Sequence, residues 1–179
     1  MVHDSELITR VQIFDQKTLA EVYDTYSPAL YRYAMRLLGD QDLAEDCVAD
    51  TFMRFLQAVQ QKKGPRDYLQ AYLYRMAHNW IVDFYRSQPG RNQELKETQK
   101  DGQDIPEDVV HLHQKQNKLR EVLRHLTADQ LQVITLKYFE GWDFPDISKA
   151  IGKPIGAVKA LQHRAVVTLR NVLKEENFL

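Results

Sequence analysis

Three observations predict an all-α protein: two small helical domains joined by an acidic flexible linker. Apolar residues recur at helical spacing throughout, and no strand-like alternation of useful length occurs. Ser87 to Asp108 carries Pro89, Gly90, Gly102 and Pro106 among Gln, Glu, Asp and Lys, with almost no large apolar residues, and breaks the pattern near the middle of the 179 residues. Toward the end, Phe144 to Arg170 reads as a short helix, a glycine turn and a basic second helix, the order of a helix-turn-helix that docks on DNA.

Taken in order, helices are expected near 15–38, 40–60 and 66–86. Gly39-Asp40 separates the first two and Lys62-Lys63-Gly64-Pro65 the last two. Residues 1–87 form the first domain, 88–110 the linker and 111–179 the second domain. Further helices are expected near 109–125, 127–139, 143–151 and 154–175. Thr127 is placed to N-cap the helix that follows, with Gln130 completing a capping box. Gly152 supplies a left-handed helix end, and Pro154 restarts the chain where its missing N–H costs nothing. No tandem repeat is present.

Composition narrows the function. The 44% hydrophobic and 27% charged residues are an ordinary globular balance. A net charge of −1 hides a split: residues 1–87 hold 10 Lys/Arg against 12 Asp/Glu, residues 88–110 hold 3 against 6, and residues 111–179 hold 11 against 7. A nucleic-acid partner needs only a local excess of cations, so the basic second domain is the better guide. Cys47 is the only cysteine, which excludes an internal disulfide and a Cys-based metal cluster and fits a reducing cytosol. The start Met1-Val2-His3-Asp4-Ser5-Glu6 is too polar for a secretory signal, and no apolar run is long enough to span a bilayer. The 6 histidines show no HExxH spacing, His111 and His113 face different sides of a helix, and no glycine-rich phosphate loop exists. Neither a catalytic constellation, nor a metal, nor a cofactor is expected.

Three segments carry candidate binding residues. In the last helix Val158, Leu161, Ala165, Leu169 and Val172 share a stripe, while Lys159, His163 and Arg170 lie on roughly the opposite side. From Lys149 to Lys174 the cations Lys149, Lys153, Lys159, Arg164, Arg170 and Lys174 occur with no Asp or Glu, which suits a phosphate-lined groove. A plain amphipathic hairpin with a solvated Lys/Arg face is the alternative. In the helix near 40–60, Leu43, Cys47, Val48, Thr51, Phe55 and Val59 form the packed stripe. Glu45, Asp46, Asp50 and Arg54 remain outside it, either as a binding face or as solvated surface. Between Tyr68 and Arg86 stand six aromatics among basic and amide residues, a composition that can stack and hydrogen-bond unpaired bases. Leu73, Ala77, Trp80, Ile81 and Phe84 read better as core, which leaves Arg75, His78, Asn79 and Arg86 as the ligands.

Together these segments resemble the extracytoplasmic-function (ECF) sigma factors, the small two-domain group of the sigma-70 family, over nearly the whole chain. Asp42-Leu43-Ala44-Glu45-Asp46 followed by Thr51-Phe52 resembles the helix that binds core RNA polymerase. Tyr72-Leu73-Tyr74-Arg75-Met76-Ala77-His78-Asn79 resembles the promoter-melting helix with its following loop, and Gly156-Ala157-Val158-Lys159-Ala160-Leu161-Gln162-His163-Arg164-Ala165 resembles the recognition helix.

The resemblance implies a transcription initiation factor, not an enzyme, acting in the bacterial cytoplasm. It implies that the chain binds core polymerase, directs it to a two-part promoter and opens the duplex. By similarity, Glu45, Asp46, Asp50, Thr51 and Phe52 bind core polymerase. Arg54, Arg75, His78, Asn79 and Arg86 hold the melted minus-ten strand, with Asn79 and His78 in a loop that receives a flipped base. Lys153, Lys159, Ala160, Gln162, His163, Arg164 and Arg170 contact the duplex at the minus-thirty-five element, with Arg164 nearer the packed stripe than Lys159 and His163 and so closer to a backbone role. His78 replaces the Arg that often precedes this Asn, and Ala157, Ala160, Leu161 and Gln162 depart from the common recognition helix.

The linker acids are expected either to mimic nucleic acid inside polymerase or to serve as a tether. The chain ends at Leu179 without a sensor domain, so control is expected from a separate anti-sigma factor, without membrane insertion. Two other readings stay distinct. A helix-turn-helix regulator would bind duplex DNA without polymerase, and a sigma mimic that titrates an anti-sigma factor would have no need of the cationic face.

Overall fold

A computed structural model describes residues 5–87, 121–123 and 125–175. It is all-α, with no strand among the described residues. The linker expected at 88–110 and most of the helix expected near 109–125 lie outside the described residues. The helices are α1 (Ser5–Gln12), α2 (Gln16–Leu38), α3 (Gln41–Gln60), α4 (Leu69–Ser87), α5 (Ala128–Ile134), α6 (Phe144–Ile151) and α7 (Ile155–Glu175). Residues 121–123 are also helical.

The ends of these helices follow the cap chemistry of the sequence. Asp15 accepts from Thr18 N at the start of α2, and Asp40 from Leu43 N at the start of α3, both at 3.0 Å. Gly39 ends α2 at φ 74, its N–H bonded to Met35 O at 2.9 Å. The capping box at α5 forms: Gln130 N donates to Thr127 Oγ1 at 3.3 Å and Thr127 N to Gln130 Oε1 at 3.0 Å. Asp143 caps α6, and Gly152 closes it at φ 67 with its N–H on Ser148 O at 2.9 Å.

Two elements differ from expectation. The unforeseen α1 buries Ile8 and Val11. The helix expected over 127–139 changes register: after Ile134 the chain widens into a π-turn, Thr135–Phe139, whose last bond runs from Glu140 N to Thr135 O at 3.1 Å. Trp142 N then bonds back to Leu136 O at 3.0 Å.

Helices α1 to α4 form one module and α5 to α7 the other. In the first, Leu30 and Tyr33 of α2, Phe55 of α3 and Leu73, Tyr74 and Ile81 of α4 are almost wholly buried, each contributing about 1.5–3 kcal/mol relative to exposure. Cys47 is buried among them, its thiol donating to Ala77 O at 3.7 Å, and burial pushes it up to about 12. The same apolar cluster continues through Leu136, Trp142, Ile147, Ala150, Val158 and Leu161 of the second module. A smaller cluster of Leu123, Leu126, Ile134 and Ala165 lies beneath α5 and α7. The two modules thus pack on each other, chiefly through α4 against α6. Among the described residues, no helix is long and apolar enough to cross a membrane.

Candidate nucleic-acid interface

Helix α7 divides as its sequence pattern requires. Val158, Leu161, Ala165 and Val172 are buried and Leu169 is half-buried, while Lys159, His163, Arg164 and Arg170 are exposed. Arg164 stands in solvent beside His163 despite its place near the packed stripe. Ala160 and Gln162 are half-exposed, and Gln162 Nε2 donates to Tyr138 Oη at 2.6 Å. Two neighbouring cations are already engaged: Lys153 pairs with Asp129 at 3.2 Å, and Lys159 lies 5.6 Å from the centre of the Phe144 ring. The exposed row Lys159, His163, Arg164 and Arg170 of α7 carries no acid, which suits the phosphate backbone of a duplex.

Helix α4 places its candidates less simply. Arg75, Asn79 and Arg86 are exposed, Arg86 at 3.9 Å from Asp83, a separation worth little in solvent. His78 is buried, with Nδ1 2.9 Å from Tyr33 Oη. Burial holds its imidazole down to about 4, against a smaller opposing pull from Asp129 and the Ala128 backbone, so the ring is neutral. The loop expected at His78 and Asn79 is absent. Both lie mid-helix, because no Gly or Pro interrupts Leu69–Ser87 and the Trp80 and Phe84 rings stack one turn apart, 5.6 Å between centres and 5° from parallel. Trp80 and Phe84 are half-buried, whereas Leu73, Ala77 and Ile81 are core as expected.

On α3, Glu45 and Asp46 are exposed, and Gln41 Nε2 donates to Glu45 Oε1 at 3.0 Å. Asp50 is half-buried, 2.5 Å from the Nε of exposed Arg54. Thr51 and Phe52, grouped by resemblance with these surface residues, are core side chains instead: both are buried, and the Phe52 ring packs against Tyr23 and Phe55. They can shape the α3 face from behind but do not display a side chain on it. Sequence reasoning passed over Met53, which is 57% exposed beside the acids. Its signal was an apolar residue standing off the α3 stripe.

The structure also brings together residues that the sequence kept apart. Arg75 Nε donates to Ala150 O at 2.6 Å and its Nη2 to Lys149 O at 2.5 Å, so the guanidinium sits on the last carbonyls of α6. Lys149 Nζ lies 3.9 Å from the Tyr68 ring centre, and the Tyr74 and Trp142 rings meet at 4.9 Å. Glu140 accepts from Tyr74 Oη at 2.9 Å and pairs with Arg36, whose guanidinium also lies over the Phe139 ring.

A helical bundle with an aromatic, basic helix, joined to a helix-turn-helix whose exposed face is cationic, defines a two-module DNA-reading protein. The family models sharpen this: Sigma-70 region 2 matches residues 22–90 and Sigma-70 region 4 matches residues 116–169. The chain is 34% identical over 157 residues to the ECF RNA polymerase sigma factor SigL of Mycobacterium tuberculosis, covering 86% of this chain and 88% of SigL. It is 29% identical over 174 residues to the ECF sigma factor BldN of Streptomyces coelicolor, covering 96% of this chain but only 66% of BldN. The fold is also that of CnrH, solved in complex with the cytosolic domain of CnrY (TM-score 0.70, 20% identity, covering 96% of this chain and 97% of that one). It likewise matches the sigma factor RpoE of Bartonella quintana, solved with the anti-sigma factor NepR (TM-score 0.61, 24% identity, covering 88% of this chain and 98% of that one). This chain belongs to the ECF RNA polymerase sigma factors of the sigma-70 family.

Proposed function

We propose that this sigma factor binds core RNA polymerase through the first module, reads the upstream promoter element with α7 and opens the downstream element along α4. The observation that carries the reading is the acid-free row Lys159, His163, Arg164 and Arg170, exposed on a helix whose other face is packed. A solvated surface would tolerate mixed signs, whereas a groove of phosphates and base edges rewards one sign. Lys159, at the start of the exposed row, is assigned to a guanine edge or a phosphate. Arg164 and Arg170, further along, are assigned to the backbone, with Lys153, Ala160, Gln162 and His163 beside them. On α4, Asn79 presents an amide that can pair with an unstacked base. Arg75, Arg86 and Arg54 are assigned to the strand, and His78 supports the helix from inside. Glu45, Asp46 and Asp50 of α3 form the polymerase-facing surface, extended by Met53. Residues 88–110 connect the two halves on polymerase. The protein acts in the cytoplasm, has no catalysis of its own and is restrained by a separate anti-sigma factor, in keeping with the second proteins present in the CnrH and RpoE complexes.

The test is transcription in vitro with purified core polymerase on a fragmented genomic library, with start sites mapped. Transcripts that depend on this protein and share an upstream and a downstream element are expected. Binding to duplex DNA without any association with core polymerase would instead support a stand-alone regulator.

A further inference from the structure

Resting on the sigma-factor reading above, we infer that Tyr138 is a positioning residue for promoter recognition: its hydroxyl holds the side-chain amide of Gln162 on α7 in the orientation that reads an adenine in the upstream element. Gln162 Nε2 donates to Tyr138 Oη at 2.6 Å, across 24 positions of sequence. Tyr138 is 57% exposed and Gln162 half-exposed, so each could hydrogen-bond to water as readily as to the other. The bond therefore adds little to stability, and its consequence is to fix where a flexible amide points. Gln162 stands one turn from Lys159 and next to His163, at the edge of the cationic face.

The wide turn is what brings the hydroxyl there. Thr135–Phe139 closes on a bond from Glu140 N to Thr135 O, spanning five residues instead of four, so Lys137 and Tyr138 are rotated relative to the side chains of α5 before them. Both then serve the same flank of α7. Lys137 Nζ lies 4.9 Å from the centre of the Phe144 ring, and Lys159 Nζ lies 5.6 Å from the centre of that same ring. Tyr138 reaches Gln162 directly. The chemistry of the amide then selects a base. Gln162 has a carbonyl oxygen and two N–H groups, of which Tyr138 takes one. What remains is one donor and one acceptor, the pair that meets N7 and the N6 amino group of adenine in the major groove. Guanine offers acceptors at both N7 and O6, so the carbonyl of a fixed Gln162 would face another acceptor there. Freed from Tyr138, the amide can turn over and tolerate either purine, whereas holding it removes that freedom before DNA arrives.

Base preference, measured one position at a time, tests this role. Holoenzyme is assembled from core polymerase and full-length wild type, Tyr138→Phe, Gln162→Ala or the double variant. The probe is a set of fluorescent duplexes carrying the upstream element mapped by transcription, with each base pair replaced in turn by the other three. Wild type should favour A·T at one position by about tenfold or more, and Gln162→Ala should flatten that position alone. Tyr138→Phe keeps the ring and removes only the hydroxyl. It should cut the same preference at least about threefold, chiefly by admitting guanine, while preferences elsewhere hold. The double variant should match Gln162→Ala, because Tyr138 acts only through that amide. A merely structural bond would leave every preference intact or lower binding to all duplexes alike, and either result, in variants with wild-type circular dichroism, overturns the proposal. So does a set of preferences that Gln162→Ala does not move. Wild-type transcription with core polymerase is measured alongside. Its absence defeats the sigma-factor reading itself, whereas its presence with base preferences unmoved in Tyr138→Phe defeats only the role of Tyr138.

Discussion

His78 makes the stability of this protein depend on pH in a way that can be calculated. The ring is 5% exposed, faces the Tyr33 hydroxyl, and is held down to about 4 chiefly by burial. A neutral Nδ1 can accept from that hydroxyl, while protonation would place a positive charge in an apolar setting. In the unfolded chain the ring takes up a proton near its ordinary 6.5. Between those two values the unfolded state binds more protons, so stability is full above about 6.5 and is lost as pH falls toward about 4. The difference amounts to about 1 kcal/mol at pH 5.5 and about 3 kcal/mol at pH 4, at about 1.4 kcal/mol per unit. Urea unfolding followed by far-UV circular dichroism at about pH 7.5 and about pH 5.5, on wild type and on His78→Gln, isolates this contribution, because the carboxylates are common to both proteins. The wild type should lose about 1 kcal/mol more than the variant across that interval. Parallel losses in the two proteins would refute the assignment of a buried neutral imidazole.

Three further outcomes are expected. Lys159→Ala should weaken binding of polymerase holoenzyme to the upstream element and reduce the slope of log affinity against log salt by about one if the contact is to phosphate, read by anisotropy titrations at several salt concentrations. Asn79→Ala should lower the yield of open promoter complex, scored by permanganate reactivity, while leaving affinity for core polymerase unchanged, and equal loss of core binding would remove Asn79 from the melting step. Thr127→Ala deletes one half of the capping box at α5 and should cost about 1 kcal/mol, measured as a lower midpoint in urea.

What was legible in the sequence was whatever local chemistry decides. Gly152 and Gly39 take left-handed conformations at helix ends, the Thr127–Gln130 box closes, and the apolar stripe of α7 is buried while its cations stand out. These features depend on residues within a turn or two of each other. The rest depends on partners far away in the chain. His78 reads as a polar residue on a helix, and only Tyr33, 45 positions away, and the Ala128 segment make it interior. Phe52 sits beside exposed Met53 and Arg54, and the Tyr23 ring from α2 is what covers it. Helix α1 has only 8 residues and too few apolar positions for its period to stand out, so it owes its existence to Ile8 and Val11 docking on the bundle. Glu140 looks like any acid in a turn, and no periodicity reveals that a π-turn aims it at Arg36, 104 positions earlier.

The burial of Cys47 has a practical consequence. A thiol pushed up to about 12 and enclosed beneath α4 is almost entirely protonated at neutral pH, so it is slow toward maleimides and mild oxidants. As the chain has no other cysteine, the native sequence is ready for site-directed labelling. One new cysteine on the exposed side of α3 and one on the solvent face of α7 would take a donor and an acceptor dye while the native sulfur stays silent. The separation of the two modules, with and without core polymerase, would become a spectroscopic signal.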